Sequence, residues 1–225
     1  MNDSRPEVLY EDNHLLALNK PAGLLTMGDD TGDRTMVDVA RGYLREKYDK
    51  PGNVFVGVVH RLDRPVSGVL LFARTTKAAG RLSDQLRKGD IEKTYRVLVE
   101  GRPPAAEQGE FEDWLKKNRQ TNKVSTASQR DAEAKHSRLI YRVVDRVGEL
   151  LELEVQPVTG RSHQIRVQLA SRGMPVVGDV KYGSRHRLGQ SIRLHALRLQ
   201  ISHPTRKDRV AIECACPFNV RNPQL

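Results

Sequence analysis

The sequence predicts an α+β protein built on a mixed sheet. Two patterns carry that reading. Apolar runs of strand length are frequent, while helical stretches are few and do not alternate with strands in a regular βαβ rhythm. The composition agrees: 225 residues with 38% hydrophobic and 29% charged side chains describe a globular chain long enough for a sizeable core. No repeat, low-complexity tract or linker divides it, so a single domain over 1–225 is expected.

Val8-Leu9-Tyr10 and Leu15-Leu16-Ala17-Leu18 flank Glu11-Asp12-Asn13-His14, a hairpin pattern. Asn19-Lys20-Pro21-Ala22-Gly23-Leu24 follows as a loop punctuated by Pro and Gly. The spacing of Val37, Ala40, Tyr43, Leu44 and Tyr48 predicts a helix over 35–48, which Pro51 ends. The continuous apolar run 54–59 predicts a strand, and 69–73 another. A polar loop, 60–68, separates them. Thr75 or Thr76 caps a helix with Ala78, Ala79, Leu82 and Leu86 at helical spacing, and Gly89 closes it. Residues 91–99 alternate as a strand. The polar, basic stretch 113–137 is weakly periodic and reads as a long excursion or hairpin of uncertain order. Leu151, Leu153 and Val155 alternate with Glu152, Glu154 and Gln156 in a half-buried strand. A short helix is expected over 162–171, with Gly173 past its end, and strands at 194–201 and 210–215.

Charge and composition exclude several classes. The longest run of large apolar residues, 69–73, is far short of the ~20 needed to span a bilayer. The N-terminus carries acids and no apolar signal region. Cys214 and Cys216 are too close for an ordinary bridge, and a reducing cytoplasm is the default. The formal net charge is +10. Residues 161–209 hold 11 Lys/Arg against Asp179 and Asp208, so 11 − 2 = +9 falls there. Arginine dominates that stretch, and its planar fork suits phosphates and base edges. A polyanion, most often nucleic acid, is the partner such a surface fits. There is no Gly-rich phosphate loop, Rossmann fingerprint, paired-His metal motif or Cys quartet. No metal and no cofactor are therefore expected. His163, His195 and His203 lack metal-like spacing.

The loop His60-Arg61-Leu62-Asp63-Arg64-Pro65-Val66-Ser67-Gly68 sets an acid between arginines. Taken alone, an exposed Arg–Asp pair is as good an account as a functional one. An ionised carboxylate in a basic cleft repels phosphate, however, and a nucleophile is one reason to keep it there.

This loop resembles the catalytic signature of the RluA-type family of RNA pseudouridine synthases, and the resemblance extends over about 8–218. Residues 19–24 look like the family's first motif, and Lys93-Thr94-Tyr95 like its Lys-x-Tyr strand. Residues 160–169, then Gly173-Met174-Pro175 and 178–183, look like its third. Leu194-His195-Ala196 and His203-Pro204 match its C-terminal pattern. Val66 stands where Thr is usual, Gln168 where His is common, and Thr26-Met27 where His-Pro often follows. The resemblance implies the pseudouridine synthase fold: a mixed, mostly antiparallel central sheet with flanking helices and an active-site cleft. An S4-like RNA-binding domain, which many relatives carry, is not expected before Asn19.

By resemblance, Asp63 is the essential carboxylate. Attack on ribose C1′, attack on base C6 and abstraction of a ribose proton all stay open for it. Arg166 matches the cation that pairs with this Asp. Tyr95 matches the aromatic that stacks on the target base, although the strand taken alone reads better as carrying a core tyrosine. Leu169 matches the apolar wall of the uracil pocket, where core packing serves as well. Arg61 is expected to reach into the RNA as the nucleotide flips. Arg161 and His163 are expected to contact RNA, and phosphate contacts are assigned mostly to 161–209, including Arg185 and Arg187, with Lys20 and Lys93 near the pocket. The implied activity is isomerisation of specific uridines in rRNA or tRNA, by a cytoplasmic monomer with no membrane and no nucleotide cofactor. A non-catalytic RNA- or ribosome-binding protein on the same fold is the competing reading.

Overall fold

The computed structural model describes residues 6–28 and 32–224. The chain divides into two compact units, Met1–Glu92 with Ala196–Ala215, and Lys93–His195 with Cys216–Leu225.

In the first unit, β1 (Val8–Glu11) and β2 (Leu15–Lys20) form the expected antiparallel hairpin, and β2 pairs antiparallel with β4 (Ser67–Ala73). Most of β10 (Leu194–Ser202) follows β4, and β11 (Arg209–Glu213) pairs antiparallel with β10. Helix α1 (Met36–Lys47) starts at a capping box in which Thr35 and Asp38 satisfy each other's backbone N–H groups. Helix α2 (Thr76–Lys88) is capped by the Thr75 hydroxyl and ends on Gly89 in the left-handed conformation. Its Ala78 and Leu82 join Leu15, Ala17, Val69 and Leu71 in the core.

The run 54–59 is not the strand its apolar content predicts. Only β3 (Gly57–Val58) pairs, with Ala73 and Phe72 of β4. Val54 and Val56 are buried nonetheless, so the run reports burial and not pairing. The His60 ring ends the ladder, because its Nε2 accepts the Leu71 N–H at 3.0 Å.

In the second unit, five strands run antiparallel in the order β5-β9-β8-β6-β7. They are β5 (Glu92–Glu100), β6 (Gln108–Asn118), β7 (Lys123–Ala127), β8 (Lys135–Val147) and β9 (Leu150–Pro157). The stretch 113–137 is thus an ordered part of a meander. Its weak periodicity reflects charge pairs at partly exposed positions, such as Lys116 with Asp131 at 3.0 Å and Glu133 at 2.8 Å, with apolar anchors only at positions such as Leu115 and Val124. In β9, Glu152 is buried where alternation predicts exposure. It accepts the Val220 N–H at 2.9 Å and pairs with Arg96 at 2.7 Å, beneath a tail that packs Phe218 and Val220 on Leu98 and Val177.

Helix α3 (Gln164–Ala170) begins two residues later than expected, because His163 adopts a left-handed φ of 51°. A 3₁₀ turn, Val180–Tyr182, follows. Strand β11 ends before the cysteines, which are both free, Cys214 buried and Cys216 half-buried. Among the described residues no helix is long and apolar enough to cross a membrane.

Candidate active site

The acid-bearing loop lies between β3 and β4 of the first unit and is held by its backbone. Asp63 is half-buried at the start of a turn closed by the Val66 N–H donating to the Asp63 carbonyl at 3.0 Å. Three ties from 20–26 fix that turn. The Lys20 ammonium is wholly enclosed and donates to the carbonyls of Pro21, Arg64 and Val66 at 2.9, 3.1 and 2.7 Å. The Gly23 N–H donates to the Arg64 carbonyl at 2.8 Å. The Thr26 hydroxyl donates to the Leu62 carbonyl at 2.9 Å and accepts the Leu62 N–H at 3.1 Å. Arg64 pairs with Asp33, and Arg61 stands exposed.

This overturns one expectation. A fully buried Lys20 with its donors on three carbonyls cannot meet a phosphate; it holds the loop. Burial pushes its pKa down to about 7, against the raising effect of the Asp63 charge and with the help of Arg64. Thr26, a departure from the family pattern, has the equally structural task of clamping Leu62.

Immediately after the turn, Gly68 carries a φ of +110°, and a Cβ there would lie 2.3 Å from the Ala196 carbonyl oxygen. Only glycine allows this approach of two backbones.

In the second unit, α3 buries every residue from Gln164 to Leu169. Arg166 is 5% exposed and grips Asp179 with two donors, Nε to Oδ2 at 2.6 Å and Nη2 to Oδ1 at 2.9 Å. Its guanidinium also lies over the Tyr182 ring, 5.0 Å from the centroid. The Tyr182 hydroxyl shares a 2.6 Å hydrogen bond with His163 Nδ1 and accepts the Val124 N–H at 3.0 Å. Neither Asp179 as the partner that orients Arg166 nor Tyr182 as its platform is evident from spacing, although both fall inside the third motif. Leu169 is fully enclosed. Arg161 is exposed and donates Nε to the His136 carbonyl at 2.9 Å. Tyr95 is half-buried opposite Val155 in the β5–β9 ladder, and Lys93, also half-buried, has its pKa lowered by burial.

Gln168, the second departure, is fully buried. Its Nε2 donates to Asp113 at 2.7 Å and to the Phe111 carbonyl at 3.1 Å, while its Oε1 meets no partner among the described residues. Val66, the third, is buried and offers its carbonyl to Lys20.

The arginines of 161–209 are largely engaged within the protein. Arg172 meets Asp113 at 2.8 Å, Arg185 meets Glu149 at 2.7 Å and Glu100 at 3.0 Å, and Arg198 meets Glu213 at 3.2 Å. Arg206 faces Asp208 at 3.2 Å, and Arg209 faces Glu92. The +9 of this stretch is therefore not +9 of available charge.

Comparison with known proteins meets this geometry. The family described as RNA pseudouridylate synthase matches residues 14–171. An uncharacterized RNA pseudouridine synthase, YhcT, of Bacillus subtilis is 33% identical over 220 residues, covering 96% of this chain and 70% of the relative. The ribosomal large subunit pseudouridine synthase D of Zymomonas mobilis is 32% identical over 226 residues, with the same coverage of 96% and 70%. Among solved structures, the human RNA pseudouridylate synthase domain containing 4 shares the fold at a TM-score of 0.78 and 22% identity, over 96% of this chain and 90% of that one. With the Asp-bearing loop clasped by the first motif and the third motif wrapped around a buried arginine, the chain belongs to the RNA pseudouridylate synthase family, as an isomerase of the RluA type.

Proposed function

We infer that this enzyme converts uridines of large-subunit ribosomal RNA to pseudouridine, with Asp63 as the catalytic carboxylate. The observation that carries the reading is the Asp63 turn, whose backbone is tied at Leu62, Arg64 and Val66 by residues 20–26. A reacting carboxylate gains from such fixing, because a misplacement near 1 Å can lower the rate about 10²-fold. A surface ion pair would gain nothing from it. The name of the Zymomonas relative supports the ribosomal substrate, and work on that RNA belongs in the cytoplasm.

The reaction is an isomerisation that balances without a co-reactant. The N1–C1′ bond of uridine breaks, a C5–C1′ bond forms, and the proton lost from C5 is matched by one gained at N1. A stacked base is out of reach, so the target nucleotide is flipped at a cost of a few kcal/mol. Arg61, exposed beside Asp63, is proposed to occupy the space the nucleotide leaves. Tyr95 and Arg166 enter the proposal through the motifs they occupy, Tyr95 against the base and Arg166 as a positioning cation. Asp63→Asn should abolish pseudouridine formation while RNA affinity stays within a few-fold. Pseudouridine mapping of rRNA and tRNA, with and without the protein, checks both the activity and the substrate. Sites lost only from tRNA would overturn the ribosomal assignment, and turnover by Asp63→Asn would overturn the catalytic one.

A further inference from the structure

Within the arginine-rich stretch, exposed cations that meet no carboxylate among the described residues are scattered, as Arg187 and Lys207 are; a denser group lies elsewhere. From Trp114 to Asp131 the chain carries Lys116, Lys117, Arg119, Lys123 and Arg130 and no acid before Asp131. Of these, Lys116 is paired, with Asp131 at 3.0 Å and Glu133 at 2.8 Å. Lys117, Arg119 and Lys123 are exposed at the tip of the β6–β7 hairpin, and among the described residues none meets a carboxylate within ion-pair distance. Arg119 sits on the turn, and Lys117 and Lys123 sit on the strand ends that flank it.

That turn is held in place. The Asn118 side chain accepts the N–H groups of Gln120 and Thr121 at 3.0 and 3.1 Å. Asn122 takes a left-handed φ of 48°, and its carbonyl accepts Lys181 Nζ at 2.6 Å, which brings one more cation to the tip. Leu115 and Val124 pack on Val167 of α3 and on Tyr182. The Tyr182 hydroxyl that receives the Val124 N–H belongs to the 3₁₀ turn following Asp179, the partner of Arg166. A group of like charges carried on a backbone held in place suits a polyanion, whereas a merely solvated face needs no such ties.

We propose that the β6–β7 hairpin is the arm that docks the RNA backbone, with Lys117, Arg119 and Lys123 on phosphates. The assignment rests on the RNA-modifying function above and names the surface that function uses. An ion-paired arginine must leave its carboxylate before it can neutralise a phosphate, whereas an unpaired cation releases the counterion outright.

The test is a salt titration of binding to a labelled RNA stem-loop with uridines in its loop. It compares wild type, the triple variant Lys117→Gln, Arg119→Gln, Lys123→Gln, and a control of equal charge change, Arg198→Gln, Arg206→Gln, Arg209→Gln. The hairpin variant should flatten the slope of log affinity against log salt by about 2, at about 0.7 per phosphate contact. Its loss of activity should appear in KM. The control should run parallel to wild type. Parallel lines for the hairpin variant, or equal flattening in both, would overturn the assignment. Binding slopes do not depend on turnover, so a wild type that makes no pseudouridine would count against the proposed function and leave this docking surface standing.

Discussion

Lys20 shows how little a residue's type says about its task. In the sequence it is a cation beside a basic loop, and phosphate contact is the natural reading. Its context already pointed elsewhere: it ends a strand whose Leu15, Leu16, Ala17 and Leu18 are all enclosed, so the ammonium was carried inward. There it donates to the carbonyls of Pro21, Arg64 and Val66, of which Arg64 has a second donor in the Gly23 N–H. Lys20→Met should lower stability by about 1–3 kcal/mol, the ordinary consequence of unsatisfied buried polar groups, and loosen the Asp63 turn enough to reduce kcat. The pH dependence has a definite sign. Folded Lys20 releases its proton near 7, whereas the unfolded residue keeps it to about 10.5. Across that window the unfolded state binds more protons, so raising the pH favours folding. The urea stability of wild type relative to Lys20→Met should therefore increase from pH 7 towards 10.5. A flat difference would show that the ammonium stays charged in the fold. Asp63 stands out in the sequence as a candidate, because an acid between two arginines on a Pro/Gly-bounded loop is conspicuous. Asp179 was not, because nothing in its spacing from Arg166 marks the two as partners.

At the scale of elements, the helices were readable and the polar meander was not. Helices α1 and α2 announce themselves by threonine caps and apolar residues at a 3.6 period, signals that depend on local chemistry alone. Strands β6 to β8 owe their order to one another: charges pair across the ladder on the open face, and only a few apolar side chains reach inward. A pattern search along one strand cannot see its neighbour. The 54–59 run erred in the opposite sense, being apolar enough for a strand but buried mostly as irregular chain. Gly68 belongs to this scale, since it fixes how β4 lies against the following strand. Gly68→Ala adds left-handed strain to a clash with the Ala196 backbone, each worth about 1–3 kcal/mol. Thermal denaturation should show a large drop in Tm, and Gly80→Ala, with open space around its Cβ position on α2, should show none.

For the whole molecule, the total charge was legible and its availability was not. A count along the chain gives +10, but carboxylates from distant segments neutralise much of the arginine-rich stretch. Carboxylates held by hydrogen bonds also govern behaviour in acid. Burial raises the Asp12 pKa, yet hydrogen bonds from the His14 and Leu15 backbone, His203 and Tyr10 outweigh it and hold it at about 2. Glu11, Glu100, Asp131, Asp145 and Asp208 are lowered as well. Groups lowered on folding stabilise the fold above their unfolded pKa and lose that contribution as pH falls through the folded value. Melting temperature should hold down to about pH 4 and decline steeply towards 2, and Asp12→Asn should soften the decline. One feature of the architecture bears on how the molecule is made. The first unit needs residues 196–215 for most of β10 and for β11, so its sheet cannot close while the ribosome has delivered only the first hundred residues. The strand whose backbone meets Gly68 is translated more than a hundred residues after the loop that carries Asp63. A nascent chain would thus hold its acid in an unfinished scaffold, and catalysis would wait until residues 196–215 had emerged.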